Sequence, residues 1–472
     1  MNEMMFEDYD YEDVEVEYAD YYEDDTYVMP DEESWKDDSD EQTVDPFTLD
    51  ELYNYCIIPT ITDSHKHLIG ILSWSFLFLL SSRTFRIPKV LIHLSSTVSG
   101  GALLWHMFDW RSCLMGGLFV ITYLNLLSSH FVLRRWRGPS CFIIGVIYLI
   151  VCEFWMVNPM WWHAFRGIQM VILMKLVSVG YDLDTSQLKE FPNLFEVTGY
   201  TFNPGTVIFG PWIPFTSYQN VLSPLKWGLK WVLKILMNLS ISVAFLIFST
   251  CLVNWLIPDN SNRWFIAYRD ALSFRSSHYF VSYLSEVSLN LAGIESVSVS
   301  KPLKIEFPRS LVEVVIYWNT PMHHWLKTYV FKPSRVKFGP FAAIIFTYGM
   351  SALFHGLNFQ IAAVLFSLGF YTYTEHMLRE KLAVIFDACI LARPCKSCKH
   401  RKKDSTLFCI FVNLILGLVT MFHLAYLGMM FDSSSQMQEK GYNAAHTLKK
   451  WSTLNYSSHW VAFFMYVLMA VL

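Results

Sequence analysis

The sequence predicts an all-α, polytopic membrane protein, and two observations carry that prediction. Of its 472 residues, 53% are hydrophobic and 16% are charged, whereas about 25% of the residues in an ordinary soluble domain are charged. The chain also contains repeated apolar runs that approach or exceed the length needed to cross about 30 Å of hydrocarbon. These features exclude an ordinary soluble protein. Its size and nine cysteines exclude a small disulfide-stabilised secreted domain.

The N-terminal segment differs from the rest of the chain in charge. Residues 1–50 contain 21 of the 41 acidic residues and a single basic residue, Lys36, giving a net charge of −20. The 35 basic and 20 acidic residues of 51–472 give a net charge of +15. Because the first segment has too few aliphatic residues to offset the entropy lost on ordering, we predict a disordered acidic tail over 1–50. A multi-span membrane domain is predicted over 51–472, with no removable signal peptide, since no basic region and cleavage site follow Met1.

The apolar runs define the candidate spans. They cover 68–80, 114–127, 141–156, 168–179, 232–256, 341–353, 361–373, 408–427 and 461–472. Hydropathy gives an estimate of about eight to eleven transmembrane helices. Shorter runs beside Gly and Pro, such as 205–211, predict re-entrant backbone that is shielded by protein.

Two clusters of basic residues indicate how the chain is oriented in the membrane. The clusters are Arg134, Arg135 and Arg137, and then Arg393, Lys396, Lys399, Arg401, Lys402 and Lys403. Both are expected to face the cytosol.

The second basic cluster contains Cys395 and Cys398, with His400 nearby. Because a structural zinc site needs four ligands and no second cysteine pair is spaced to complete one, free or lipidated thiols are favoured. Five further cysteines lie in apolar stretches, where thiols act as small hydrophobes: Cys113, Cys141, Cys152, Cys251 and Cys409.

One apolar run is interrupted by polar residues in a helical pattern. Within 341–359, Tyr348, Ser351, His355 and Asn358 follow one another at spacings of three, four and three residues. Such spacings place the four side chains on one stripe of a helix. A polar stripe inside hydrocarbon is costly unless it lines a cavity or another polar surface. The stripe is therefore the first candidate site of chemistry.

His355 allows two interpretations. A lone intramembrane histidine is most simply an interior residue that is hydrogen-bonded to a neighbouring helix. Four aligned polar groups instead favour access for water or substrate. A neutral imidazole is also the side chain best suited to deprotonate an alcohol near pH 7. We therefore prefer a general base at His355.

A second polar group, WNTPMHHW (318–325), lies about 35 residues upstream. Pro321 disfavours helix at the residue before it, so we expect a helix break at Asn319. Asn319 either caps a helix at the membrane interface or presents its amide to a cavity. Because adjacent residues point apart on a helix, His323 and His324 are not expected to share a metal ion.

Six segments, in order along the chain, carry a resemblance to a known family. They are MKLVSVGYDLD (174–184), IFGPWI (208–213), SKPLKIEFPRS (300–310), VEVVIYWNTPM (312–322), SALFHG (351–356) and FHLAYLG (422–428). Together with an intramembrane His about 35 residues after an Asn, they resemble the membrane-bound O-acyltransferases. Within that family, the sequences of these segments are most similar to those of the members that acylate Wnt proteins.

The resemblance implies a fold, a reaction and a set of residues. The fold is one helical membrane domain whose tunnel admits acyl-CoA from the cytosol and an acceptor protein from the lumen. The reaction is transfer of a palmitoleoyl group from palmitoleoyl-CoA, a substrate and not a cofactor, to a serine of a Wnt protein in the endoplasmic reticulum membrane. His355 matches the catalytic histidine and Asn319 its paired asparagine, whereas Trp318, Tyr348 and Ser351 match positions that line the acyl and substrate site. No metal, further cofactor or nucleic-acid partner is implied.

Thioester chemistry agrees with these residue types. A thioester is already activated, so its transfer to an alcohol needs proximity, a base and support for the oxyanion, without ATP or metal. His355 would take the serine proton, and the amide N–H of Asn319 would orient the thioester or support the oxyanion. A two-step route with Ser351 as nucleophile stays open, although direct transfer ranks higher. Phe354 stands where a Leu is usual in the family, a difference that concerns the fit of the acyl chain and not the proton chemistry.

Three other functions stay open. Acylation of a lysophospholipid or another small lipid alcohol would use the same base and acyl channel. A transporter is expected to show inverted repeats with paired broken helices, and no repeat is visible in the sequence. A non-catalytic chaperone for lipidated ligands would use the same tunnel without turnover.

Overall fold

The structure, a computed structural model, describes residues 48–84, 87–132, 134–223, 228–295, 297–395, 397–431 and 444–472. The predicted acidic tail lies outside the described residues except for its last three positions. There the first helix, Leu49–Leu52, begins with a capping box, in which Thr48 Oγ1 accepts from the backbone N–H of Glu51 (3.3 Å) and the Glu51 carboxylate accepts from the Thr48 N–H (2.8 Å). Lys396 of the second basic cluster also lies outside the described residues.

Helices dominate the described chain. The longer ones are Ile58–Thr84, Lys89–Phe108, Cys113–Val132, Arg137–Val151, Pro159–Asp184, Leu229–Ile247, Arg263–Leu291, Lys332–Phe354, Phe359–Phe386, Leu407–Gly428 and Ser457–Val471. The shorter ones are Leu194–Thr201, Phe215–Tyr218, Val253–Leu256, Pro302–Glu306, Leu311–Trp318, Thr320–Trp325 and Ala444–Thr453. Among the described residues, the only β interaction is an isolated bridge between Ala388 and Lys402. The predicted all-α fold is confirmed.

Five described stretches are long and apolar enough to cross a membrane. They are Lys89–Val132, Arg137–Met156, Leu229–Leu256, Thr320–Phe354 and Leu407–Gly428. The first contains two 20-residue helices that are joined by a turn at Asp109–Ser112. Arg263–Leu291 and Phe359–Phe386 are of similar length but bury charged residues, among them Glu286 and Arg379, and such residues lower the hydropathy on which a sequence estimate depends. The polytopic membrane architecture is confirmed.

The irregular segment 203–214 follows helix Leu194–Thr201 and contains the predicted re-entrant stretch. Its Asn203, Thr206 and Val207 are fully or almost fully buried. The buried Lys175 ammonium donates to the carbonyl oxygens of Tyr200 (3.0 Å) and Thr201 (2.9 Å) and to Thr206 Oγ1 (2.8 Å). Non-helical backbone is stable within a membrane protein only where other groups satisfy its polar atoms. The predicted shielding by protein is therefore present.

A disulfide joins Cys56 to Cys251. The expectation that Cys251 acts as a free, small hydrophobe is wrong, because the fold brings together two cysteines that are 195 residues apart in sequence. Disulfides persist in the lumen and not in the reducing cytosol. Three consecutive long helices separate Cys56 from Arg134, and the cytosolic orientation of the first basic cluster stays a prediction.

The loop at 387–406 connects helices Phe359–Phe386 and Leu407–Gly428, and two arginines hold it. Arg309 donates to the carbonyl oxygens of Leu391 (2.9 Å) and Cys389 (2.8 Å) and to the Asp404 carboxylate (2.8 Å). Arg379 is fully buried. Its donors reach the Ile390 carbonyl (3.0 Å), the Glu375 carboxylate (2.7 Å), Asn413 Oδ1 (3.0 Å) and the Arg309 carbonyl. We call this group of contacts the arginine clamp.

Candidate active site

His355 lies at the end of helix Lys332–Phe354, where the chain turns. The helix ends because His355 has φ −81° and ψ 1°, and its backbone N–H donates to the Ala352 carbonyl (3.0 Å). Gly356 follows with φ +97°, a conformation that favours glycine. A Cβ at Gly356 would lie 2.9 Å from Glu153 Oε1. Glycine is therefore needed both for the turn and for the close approach of Glu153.

Arg166 and Glu153 hold this turn from neighbouring helices. Arg166 Nε donates to the Phe354 carbonyl (2.6 Å), and Arg166 Nη2 donates to the Leu353 carbonyl. Arg166 also pairs with Glu153 (3.1 Å), whose other oxygen accepts from the Leu357 N–H (3.0 Å). The last carbonyls of a helix have no partner within the helix and attract a cation. Arg166 and Glu153 thus fix the backbone on both sides of His355.

The His355 side chain is exposed, although it lies deep within the protein. A side chain that is both deep and exposed lines an internal cavity. Among the residues that the structure describes, none hydrogen-bonds to its imidazole, so both ring nitrogens are available to a substrate. The simplest interpretation of a lone histidine, an interior residue satisfied by a neighbouring helix, does not fit this arrangement.

Asn319 sits at the helix break that the sequence predicts. It ends helix Leu311–Trp318 with φ −143° and ψ 91°, and it begins helix Thr320–Trp325, where its Oδ1 accepts from the Met322 N–H (3.0 Å). The expected capping role is therefore real. Because the cap uses the amide oxygen, the Nδ2 group remains available, and no described residue accepts a hydrogen bond from it.

Neighbouring segments hold the break at Asn319. The Thr320 N–H donates to the Val299 carbonyl (2.8 Å), and the Val299 N–H donates to the buried Glu286 carboxylate (2.8 Å). His278 Nε2 donates to the Trp318 carbonyl (2.7 Å), and its ring is stacked on the Trp318 indole with centroids 4.3 Å apart. Trp318 is partly exposed, and the contacts with His278 hold its indole in one orientation.

The two candidate segments approach each other through aromatic side chains. The rings of Trp325 and Phe354 lie 5.3 Å apart, and Trp325 is fully buried. Trp325 thus links the helix that follows Asn319 to the residue that precedes His355. The pairing of Asn319 with His355 in catalysis stays a prediction.

The predicted polar stripe is present in part. Tyr348 packs against helix Phe359–Phe386, where a Cβ at Gly369 would lie 2.8 Å from its ring. Ser351 is 8% exposed, and both residues lie on the helix that ends beside His355. Asn358 is not on this helix, because the chain turns at His355 and Asn358 caps the next helix through bonds from the Gln360 and Ile361 N–H groups (2.8 and 3.3 Å). The stripe therefore contains three residues and not four.

Sequence reasoning missed residues that support the site. Arg166 and Glu153 lie in the first half of the chain, and His278 faces Trp318 from a separate helix. A usable signal existed, because ionisable residues within apolar segments are expensive and commonly have a function. Their partners depend on contacts between distant parts of the chain.

Cys395 and Cys398 have more neighbours than their spacing indicates. The structure brings Cys389 and His400 to them, so that the four potential ligand atoms lie within 4.8 Å of one another. The expectation that nothing completes a four-ligand set is wrong, since Cys389 comes from the buried start of the loop. The hydrogen bond with His400 lowers the pKa of the Cys398 thiol to about 7.

His324, the second of the two adjacent histidines at 323–324, stacks on Trp212, with ring centroids 6.0 Å apart.

Comparisons with known proteins define the family. Residues 183–396, which contain both candidate segments, match the profile of the membrane-bound O-acyltransferase family. The chain is 38% identical to mouse protein-serine O-palmitoleoyltransferase porcupine over 449 residues, which cover 88% of this chain and 95% of the mouse protein. The chain belongs to the membrane-bound O-acyltransferase family, in its porcupine group. Within that group, the Anopheles gambiae porcupine is 32% identical over 89% of this chain and 93% of its own length.

The comparisons also bear on the small-lipid alternative. Lysophospholipid acyltransferase 2 of Arabidopsis thaliana is 24% identical over 56% of this chain and 68% of its own length. This more distant relationship reflects the shared membrane-bound O-acyltransferase family. The porcupine relatives are both more similar and matched over more of the chain, so they are the better guide to the acceptor.

Proposed function

We infer that this protein transfers a palmitoleoyl group from palmitoleoyl-CoA to a serine hydroxyl of a protein acceptor. The observation that carries the inference is similarity to porcupine O-palmitoleoyltransferases over 95% of the mouse protein's length. A polytopic membrane body agrees with a donor that has a long acyl chain. The acceptor that best fits this group is a secreted Wnt protein, and the compartment is the endoplasmic reticulum membrane, where such an acceptor is lumenal.

His355 is proposed as the general base. Its imidazole faces the cavity without a described hydrogen-bond partner, while Arg166 and Glu153 hold its backbone. The serine Oγ would attack the thioester carbonyl as His355 takes its proton. When the intermediate collapses, the carbon–sulfur bond breaks and the imidazolium returns the proton to the CoA thiolate. The products are an acylated serine and CoA, and His355 is regenerated.

Asn319 is proposed to assist through its amide N–H. Its oxygen is engaged by the Met322 N–H, which orients the amide and leaves its donor group for the thioester oxygen. A donor that is fixed before the reaction needs no reorganisation when negative charge develops on that oxygen. Trp318 and Tyr348 are proposed to line the acyl and substrate site beside these two residues.

Direct transfer is preferred to an acyl-serine intermediate. Ser351 is 8% exposed, whereas His355 is exposed to the cavity. A nucleophile must reach the thioester carbon, and a buried hydroxyl is poorly placed to do so. This difference in exposure supports a single transfer from CoA to the acceptor serine.

The test is a comparison of acceptors with the purified protein in lipid nanodiscs. Labelled palmitoleoyl-CoA is supplied with a Wnt peptide that contains the acceptor serine, with its Ser-to-Ala counterpart, or with a lysophospholipid. The proposal predicts label on the serine peptide alone. Label on the lysophospholipid but not on the peptide would favour the small-lipid alternative. Binding of the acylated peptide without turnover would favour a chaperone.

A further inference from the structure

The loop at 387–406 brings four metal-ligating side chains together. The thiols of Cys389, Cys395 and Cys398 and a ring nitrogen of His400 lie within 4.8 Å of one another, and none of these thiols forms a disulfide. We propose that this group is a structural zinc site with three cysteine ligands and one histidine ligand. None of its four ligands belongs to the His355 turn or is proposed to take part in acyl transfer.

The spacing of the ligand atoms fits one tetrahedral ion. Zinc binds sulfur at about 2.3 Å and imidazole nitrogen at about 2.0 to 2.1 Å, which places neighbouring S and N ligands roughly 3.6 Å apart in a tetrahedron. The distances from His400 Nδ1 to the sulfurs of Cys398 and Cys395 are 3.4 and 3.8 Å. These two distances lie on either side of the expected separation. An ion at the centre would therefore be reached with little movement.

Burial indicates a closed site. Cys389 is 2% exposed and belongs to an apolar cluster with Ala383, Ile390 and Cys409. The other three ligands are partly buried. One ligand thus comes from the protein interior and three from the chain that folds over it. Four protein ligands leave no open position, as is usual for structural and not catalytic zinc.

The arginine clamp fixes the backbone that carries these ligands. Arg309 binds the carbonyl of Cys389 itself, and Arg379 binds the carbonyl of the next residue. At the other end of the set, the Cys389 N–H donates to the Lys402 carbonyl (2.9 Å). The first ligand and the chain just after His400 are therefore tied together before any ion binds. Such preorganisation lowers the entropy lost on metal binding.

Compartment and charge also favour zinc. The loop carries the second basic cluster, which is expected to face the cytosol, where thiols stay reduced and a cluster of Cys and His is typical of metal binding. Three thiolates with one Zn²⁺ have a net charge of −1, which the basic residues of the loop offset. They include Arg393, Lys399 and Arg401.

The site has a structural consequence for the catalytic segment. Arg309 directly precedes Ser310, whose hydroxyl accepts from the Glu313 N–H as the cap of helix Leu311–Trp318, and Ser310 donates to the Ala392 carbonyl (2.8 Å). Asn319 ends that helix. Zinc would thus anchor the loop against which the helix bearing Asn319 begins.

The first experiment measures metal in the full chain purified in detergent without added chelator. Mass spectrometry of the metal content is expected to give about one zinc per chain, as a four-ligand site requires. Cys398→Ser and His400→Ala are expected to lose most of it, whereas His400→Cys, which restores four ligands, retains it. Cys409→Ser is the matched control, because Cys409 is buried in the same apolar cluster but lies outside the ligand set.

The second experiment needs no variant. Zinc is removed from the wild-type protein by a chelator and replaced by cobalt, which is expected to give thiolate charge-transfer absorption and the visible bands of a tetrahedral ion. Trypsin is expected to cleave the basic loop faster after chelation and at the original rate after zinc is restored. Protein that holds no zinc even after incubation with the ion would overturn the proposal. Zinc content that is unchanged in both Cys398→Ser and His400→Ala, or bound iron in place of zinc, would overturn it equally.

Discussion

The turn at His355 and the loop at 387–406 are both held by a buried arginine, but they differ in what remains unpaired. At the loop, Arg379 binds two carbonyls, a carboxylate and an amide oxygen. At the turn, Arg166 and Glu153 pair with the backbone on both sides of His355, while the imidazole faces a cavity with no described partner. The difference separates a scaffold, in which polar groups satisfy one another, from a site that keeps one group free for substrate.

The largest effect is expected at the scaffold. Arg379→Ala removes one partner of a buried ion pair and takes the arginine donors away from Glu375 Oε1, two backbone carbonyls and Asn413 Oδ1. Breaking such a pair costs about 3–5 kcal/mol, so we expect little folded protein and a strongly lowered melting temperature. Thermal unfolding in detergent measures this loss. The exposed Arg401→Ala on the same loop is the control, and an Arg379→Ala protein as stable as the Arg401→Ala protein would contradict the scaffold role.

Asn319→Asp separates capping from catalysis at the second candidate segment. Aspartate keeps an oxygen for the Met322 N–H and so preserves the cap, but it lacks the amide donor. We expect near-normal stability with a fall in kcat of about 10²- to 10³-fold, as for the loss of an oxyanion donor. Asn319→Ala should lose a similar rate and also about 1 kcal/mol of stability. Normal kcat in a stable Asn319→Asp protein would show that Asn319 is only a cap.

Arg166→Gln tests the positioning of His355. The turn would lose its charged clamp and the imidazole would shift, and a shift of about 1 Å can cost 10²-fold in rate. We therefore expect a lower kcat with little change in KM for the acceptor peptide. Arg269→Gln is the control, since Arg269 is ion-paired with Asp259 and Asp270 on a different part of the chain. Equal effects of the two variants on kcat would refute a positioning role.

The smallest effect is expected at Ser351. The Ser351→Ala change removes a mostly buried hydroxyl, and direct transfer does not use it. We expect turnover to stay within about threefold of wild type and no acyl-enzyme to accumulate when acceptor is omitted. Intact-mass spectrometry after incubation with palmitoleoyl-CoA alone checks the second point. An acylated wild-type chain together with an inactive Ser351→Ala chain would establish the two-step route instead.

Local features of the sequence predicted the fold and part of the site. The polar interruptions at Asn319 and His355 are visible because each departs from its apolar neighbours, and Pro321 marks the helix break. The stripe was extended too far, to Asn358, because periodicity does not reveal where a helix ends.

Contacts between distant segments could not be read in the same way. Arg166 lies 188 residues before the carbonyl that it binds, and Cys56 lies 195 residues before Cys251. Cys389 belongs to a buried segment that lies close to Cys395 and whose backbone is bound by Arg309. The sequence shows that these residues are present but not which distant residue each of them contacts. Their roles arise only from the tertiary fold.

The central claim is that the free imidazole of His355 is the catalytic base, and His355→Ala tests it most directly. Because no described residue hydrogen-bonds to that side chain, the variant should fold and bind palmitoleoyl-CoA like the wild type. Its transfer of labelled palmitoleoyl to the serine peptide should fall by roughly 10² to 10⁴, the usual contribution of a general base. Full acylation of the peptide by well-folded His355→Ala protein would contradict the account.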